Sequence, residues 1–217
     1  MGTQTDNKKA VPAIQAQIAS TDKFLVSYQL HKQLEETPEV DEIVVCSTKA
    51  EDDAARAECA KLVSPFDEEI KSGEVRLLGD IETPTYVLVV RRWDETSWLV
   101  IPFSPYSYPA TDTELKMKTD GGLRLRVVQL WNAFSLLTDT LKKSWLVNTL
   151  SEDERLDALT AWQWTVGVAD LTDDQIARTG LPITNRKDIR VEYRKAEISK
   201  FKKLLFNDLV ASGFFDD

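Results

Sequence analysis

Along the chain, the spacing of hydrophobic positions changes twice. Between residues 1 and 72 the apolar side chains Ile14, Ile18, Leu25, Tyr28 and Leu34 fall near helical spacing, and Pro38 closes that run. A short apolar run, "EIVVC", leads into an alanine-rich stretch that predicts a helix from about Thr48 to Val63. From residue 73 the pattern shortens. "GEVRLL" (73–78), "TYVLVV" (85–90) and "SWLVIPF" (97–103) are rich in β-branched and aromatic residues, with turn-like "GDIETP" and "WDET" between them. "TELKMK" (113–118) alternates Leu115 and Met117 with polar neighbours, the pattern of a half-exposed strand. After Gly121-Gly122, "LRLRVVQLW" (123–131) alternates at first and then becomes mostly apolar. Short strands with such tight connections predict a small, strongly bent sheet or barrel, because closure removes unpaired edges.

The remainder returns to helical spacing. Ser151 with Glu154 forms a capping-box signature, and Leu156, Leu159 and Trp162 then mark an apolar face. Thr172 can cap a short helix that Gly180 ends. From Asp188 onward, Tyr193, Ile198, Phe201, Leu205 and Leu209 trace the inner face of a long final helix, with lysines outside. The expected fold is α+β in three parts: a helical N-terminal segment (1–72), a small barrel (73–132) and a helical C-terminal region (133–217) packing on it.

Composition narrows the function classes. With 217 residues, 42% hydrophobic and 29% charged, the chain can bury a sizeable core as one domain with additions. Its longest apolar runs, "YVLVV" and "WLVIPF", have strand length, far short of the roughly 18 residues a membrane span requires. The N-terminal "MGTQTDNKKA" has no apolar core of a secretory signal, and Asp6 stands where a myristoylation motif at Gly2 wants Ser or Thr. A cytoplasmic protein without membrane contact is expected.

A net charge of -9 disfavours binding to phosphate backbones, which depends on Lys and Arg displacing counterions. The charge is uneven, however. Between 186 and 203 stand Arg186, Lys187, Arg190, Arg194, Lys195, Lys200, Lys202 and Lys203, against Asp188, Glu192 and Glu197. This predicts a basic helix face, either solvated or available to an acidic partner. Cys46 and Cys59, with His31, are too few for a zinc site or a disulfide framework, and no nucleophile signature surrounds them. They are expected to be structural, with no metal and no cofactor.

Catalytic motifs are sparse. The glycines form neither G-x-G-x-x-G nor a P-loop, and the G-x-S-x-G elbow is missing, since Ser104 stands between Phe103 and Pro105. Asp52/Asp53 and Asp173/Asp174 fall in helix first turns or polar faces, where the macrodipole favours them anyway. Of the tryptophans, Trp98 and Trp131 lie in the most apolar strands and predict core packing rather than a platform for bases.

The order of the strands is more informative. Gly73-Glu74-Val75, then the "YVLVV" strand, then Ile101-Pro102-Phe103-Ser104, a glycine turn and Gln129 occur in sequence over about residues 73–166. This order resembles the MazF/PemK/Kid growth-inhibitor toxins, whose motifs G-[DE]-[IV], [VI]-P-[IL]-[TS] and Q-[IV]-R follow one another along an SH3-like barrel. The resemblance implies an SH3-like five-stranded barrel, with Ser104 at a hydroxyl position and Gln129 at the glutamine. It also implies arginines that stabilise charge building up at a cleaved RNA phosphate. Here those positions carry Thr85, followed by Tyr86, and Trp131. Arg76, Arg91, Arg92, Arg124 and Arg126 lie in the same region as candidates to replace them.

The expected function is therefore a cytoplasmic binding or regulatory module without chemistry of its own, engaging a protein partner or a second copy of itself. Its binding candidates are Arg76, Arg124, Gln129 and Asn132. One alternative is a diverged toxin-like endoribonuclease using Ser104 and Arg126. Another is a scaffold whose basic final helix holds an acidic partner.

Overall fold

A computed structural model describes residues 21–29, 32, 69–78, 85–118 and 125–211. Residues 21–29 are helical (α1). Strands β1 (Glu74–Leu78), β2 (Thr85–Arg92), β3 (Ser97–Pro102), β4 (Glu114–Lys116) and β5 (Val127–Gln129) follow, and a 3-10 turn at Leu130–Asn132 leads into β6 (Phe134–Leu137). Helix α2 (Thr138–Lys142), strand β7 (Trp145–Thr149) and helices α3 (Glu152–Thr165), α4 (Asp173–Ile176) and α5 (Ile189–Ala211) complete the order. The apolar run at 42–46, the expected helix at 48–63, both cysteines, His31, the Gly121-Gly122 turn and Arg124 all lie outside the described residues.

The chain is α+β, as its pattern predicts, but the strands are arranged differently. A five-stranded antiparallel sheet runs β6-β3-β2-β1-β7, and β4 pairs with β5 in a separate two-stranded sheet. The two sheets meet at the end of β3. Phe103 bridges to Val128, Phe103 N donates to Tyr86 O at 2.9 Å, and Ser104 N donates to Val127 O at 2.8 Å. The anticipated single sheet through 74–131 thus bends at Phe103 and continues as a second sheet, and the pairings among described residues do not close into a barrel. The region 133–217 is not purely helical either, because β6 and β7 supply the two edges of the main sheet.

Both faces of the main sheet are buried, which explains the continuous apolar runs of β2 and β3. On one face Val75, Leu88, Val90, Leu99, Ile101 and Phe103 pack with Leu115, Val128 and Leu130, and with Ala158 and Ala161 of α3. On the other, Leu78, Val87, Val89, Trp98, Val100 and Leu136 are covered by Leu141 of α2 and Phe201 of α5. Burial of this apolar surface is the main stabilising contribution, at about 25 cal/mol per Å² removed from water.

Local signals place the helices. Ser151 and Glu154 form the reciprocal capping box of α3, and Thr172 with Gln175 forms another on α4. On α3 the inner positions are Ala158 and Ala161 with Leu159 and Trp162 partly buried, whereas Leu156 faces out. Gly73, at the mouth of β1, has a φ of +89°, and a Cβ there would stand 3.1 Å from the Leu150 carbonyl oxygen. That left-handed conformation suits glycine, and it lets Gly73 donate to Val89 O while accepting from Leu150 N.

Candidate functional site

A cluster of buried polar side chains lies where β3 and β5 end and β4 begins, beneath α5. Pro105 and Pro109 prevent β3 from continuing past Ser104, because proline cannot donate to a ladder. Ser104 is therefore turned inward, 3% exposed, with its Oγ accepting from Tyr106 N at 3.2 Å. Its hydroxyl also lies 3.0 Å from the Tyr193 hydroxyl of α5. Gln129, the last residue of β5, donates from Nε2 to Tyr193 Oη at 2.8 Å and to Glu197 Oε2 at 2.9 Å. Its Oε1 accepts from Asn132 Nδ2 at 3.0 Å.

Tyr193 in turn donates to Glu114 Oε1 at 2.9 Å. Because the phenolic proton goes to Glu114, Ser104 donates to Tyr193 rather than the reverse. Glu114, the first residue of β4, also accepts from Trp131 Nε1 at 3.2 Å and from Ala110 N at 2.5 Å. The Tyr193 ring is held by Phe24 of α1 at 5.1 Å, Tyr106 at 5.6 Å and Trp131 at 6.5 Å. Trp131 is thus half-buried beside α5, with the Arg194 guanidinium 4.5 Å from its ring centre, rather than covered on both faces of a strand.

The electrostatics of this group are governed by burial. Desolvation pushes the Glu114 carboxyl up to about 7, despite its donors from Ala110, Trp131 and Tyr193, and Glu197 adds repulsion. Tyr193 is pushed well above the usual phenol range, chiefly by desolvation and then by the charge of Glu114. A serine nucleophile needs a base within hydrogen-bond reach. The described partners of Ser104 are a backbone N–H and a phenol that holds its proton, so this arrangement does not activate the hydroxyl.

The other candidates are scattered. Arg76 is fully enclosed on the sheet face covered by α2, away from this cluster. Its Nε donates to Glu74 Oε2 at 2.8 Å and its Nη1 to Leu141 O at 3.0 Å, while Nη2 finds no partner among the described residues. Arg126 stands exposed just before β5. Ser104, Gln129 and Asn132 are brought together, through Tyr193 and through one another.

Glu114 and Tyr193 were not singled out by sequence reasoning. Glu114 reads as the polar half of an alternating strand and gives no signal of its own. Tyr193 does carry one, since a tyrosine in the apolar stripe of a helix needs a partner for its buried hydroxyl. Among the described residues no group of His, Cys, Asp and Glu could hold a metal ion, and no helix is long and apolar enough to cross a membrane. No protein-family model matches this chain, and no curated protein matches it.

Proposed function

We propose that the protein is a cytoplasmic binding module without chemistry of its own, a diverged relative of the SH3-like barrel in which the final helix closes the region that the toxin resemblance marks as active. The observation that carries this reading is the seating of Tyr193 on Ser104 and Gln129, at 3.0 and 2.8 Å. The two side chains retained at family motif positions hold the chain's own helix. Thr85 is buried, and neither it nor Trp131 brings a positive charge to a phosphate. The test is incubation of the purified protein with single-stranded RNA at low salt, beside Ser104→Ala and Arg126→Ala. No cleavage by any of them is expected, and no growth inhibition on overproduction. Sequence-selective cleavage that either substitution abolishes would establish the endoribonuclease reading instead.

A second reading, a scaffold for an acidic partner, is favoured by the outer face of α5, where Lys195, Lys200, Lys202 and Lys203 are all exposed. Charge reversal of these lysines would remove such binding while leaving the Tyr193 contacts in place.

A further inference from the structure

A buried chain of hydrogen bonds spans the loop that follows β3 and is anchored on both of its ends. At the start of the loop Tyr106 N donates to Ser104 Oγ at 3.2 Å, and at its end Ala110 N donates to Glu114 Oε2 at 2.5 Å. Tyr193 Oη stands between those two side chains, 3.0 Å from Ser104 Oγ and 2.9 Å from Glu114 Oε1. All three side chains are buried. Residues 105–109 are thus held at either end by one relay, Glu114–Tyr193–Ser104.

The hydrogens in this relay can be counted. Every other partner is a donor only: Ala110 N and Trp131 Nε1 at the carboxyl, and Gln129 Nε2 at the phenol. The Gln129 amide is fixed in that sense, because its Nε2 also donates to the Glu197 carboxylate at 2.9 Å and its Oε1 accepts from Asn132. With Glu114 ionised, two hydroxyl hydrogens fill two links, Ser104 to Tyr193 and Tyr193 to Glu114. With Glu114 protonated, three hydrogens share the same two links. The acid hydrogen then has Tyr193 Oη as its acceptor, the phenol turns to Ser104 Oγ, and the Ser104 hydrogen is displaced. No acceptor other than Tyr193 Oη faces the Ser104 hydroxyl among the described residues. A phenol that stayed on Glu114 would instead strand the acid hydrogen against a backbone N–H.

The charged groups around the relay come mostly from α5. Glu197 faces it through Gln129, Arg190 donates to Ala110 O while bound to Asp188, and Arg194 lies over the Trp131 ring. Lys23 of α1 and Lys116 of β4 lie over Tyr108, within the loop itself. Burial brings the Glu114 carboxyl to about 7, with repulsion from Glu197 acting in the same direction.

We propose that Glu114, Tyr193 and Ser104 form a pH-sensitive relay that sets how the loop 105–109 is seated. Loss of the Glu114 proton to solvent fills both links and locks the start of the loop at Ser104. Its return reverses the Tyr193 and Ser104 hydroxyls and strands one buried hydrogen, and the strain falls on the anchor between Ser104 and Tyr106. This goes beyond the binding-module reading and does not rest on it.

The test follows backbone amides and glutamate carboxyl carbons of the full chain by NMR across neutral pH, with Glu114→Gln assigning the Glu114 signal. The Tyr106 amide should shift with the same midpoint as the Glu114 carboxyl. In Tyr193→Phe the carboxyl should still titrate, while the Tyr106 amide loses most of its shift. Ser104→Ala retains the Tyr193 bond to Glu114 and should likewise remove the Tyr106 response, which keeps the test open if loss of the phenol prevents folding. A Tyr106 amide that does not follow Glu114 in the unaltered protein would overturn the proposal. So would a response undiminished in either variant, because Glu114 would then act through Ala110 or through its charge alone.

Discussion

The Tyr193 hydroxyl lies 2.9 Å from Glu114 Oε1, a bond between residues 79 apart that ties the last helix to the first residue of β4. Both partners are buried, and the same hydroxyl accepts from Gln129 while Ser104 lies against it. One atom thus satisfies three side chains from three different strands or strand ends.

Tyr193→Phe should therefore destabilise the protein by about 1–3 kcal/mol, the cost of leaving buried polar groups without a partner. The ring is retained, so its aromatic packing with Phe24 and Tyr106 is unaffected. Urea unfolding followed by tryptophan fluorescence reads the change. An unaltered midpoint would mean that Gln129 and Glu114 find other partners.

Stability should depend on pH through Glu114. Burial raises its carboxyl from 4.5 to about 7, so between those values the folded state holds a proton that the unfolded state has released. This contribution is complete at acid pH, declines as pH rises from 4.5 to about 7, and is lost above that. The full change is about 3 kcal/mol. Unfolding midpoints measured across the window should fall with rising pH, and Glu114→Gln should flatten the slope.

Arg76 and Glu74 make a buried pair, so removing one partner leaves a charge stranded beneath the sheet. Arg76→Met or Glu74→Gln alone should cost about 3–5 kcal/mol, whereas the double change to apolar residues should cost much less. A double-mutant cycle on thermal unfolding measures the difference.

Gly180 faces Ala110 and Thr111 so closely that a Cβ would stand 2.8 Å from Thr111 N and 2.9 Å from Pro109 O. Gly180→Ala has backbone rather than a flexible side chain to displace. It should destabilise by about 1–3 kcal/mol and weaken hydrogen-exchange protection around Thr111.

Strands β2 and β3 were legible because both of their faces are buried and their central runs are apolar, and β1 because Val75, Leu77 and Leu78 follow a glycine turn. Strands β6 and β7 were not. "FSLL" and "WLVNT" are half-buried edge strands around the short helix "TDTLK", and that mixture reads at helical period. Their pairing with β3 and β1 makes them strands, and pairing is a tertiary fact. The site was legible in the same proportion. Ser104 and Gln129 stood out through a motif order, whereas Glu114 is enclosed by Ala110, Trp131 and Tyr193 of α5, a tertiary arrangement that its strand pattern does not signal. Trp131 was read as an interior strand residue, but the chain leaves the strand at Gln129 and turns.

The pairing of β1 with β7 sets the order in which the molecule can be completed. Glu74 meets Thr149 and Leu77 meets Trp145, so one side of β1 stays unpaired until the chain has been made past residue 149. During synthesis the strand "EVRLL" waits with an open edge, and such edges recruit neighbouring chains. Closing a loop of this length is slow compared with forming the β2–β3 hairpin. Nascent chains stalled before β7 therefore expose an edge open to aggregation.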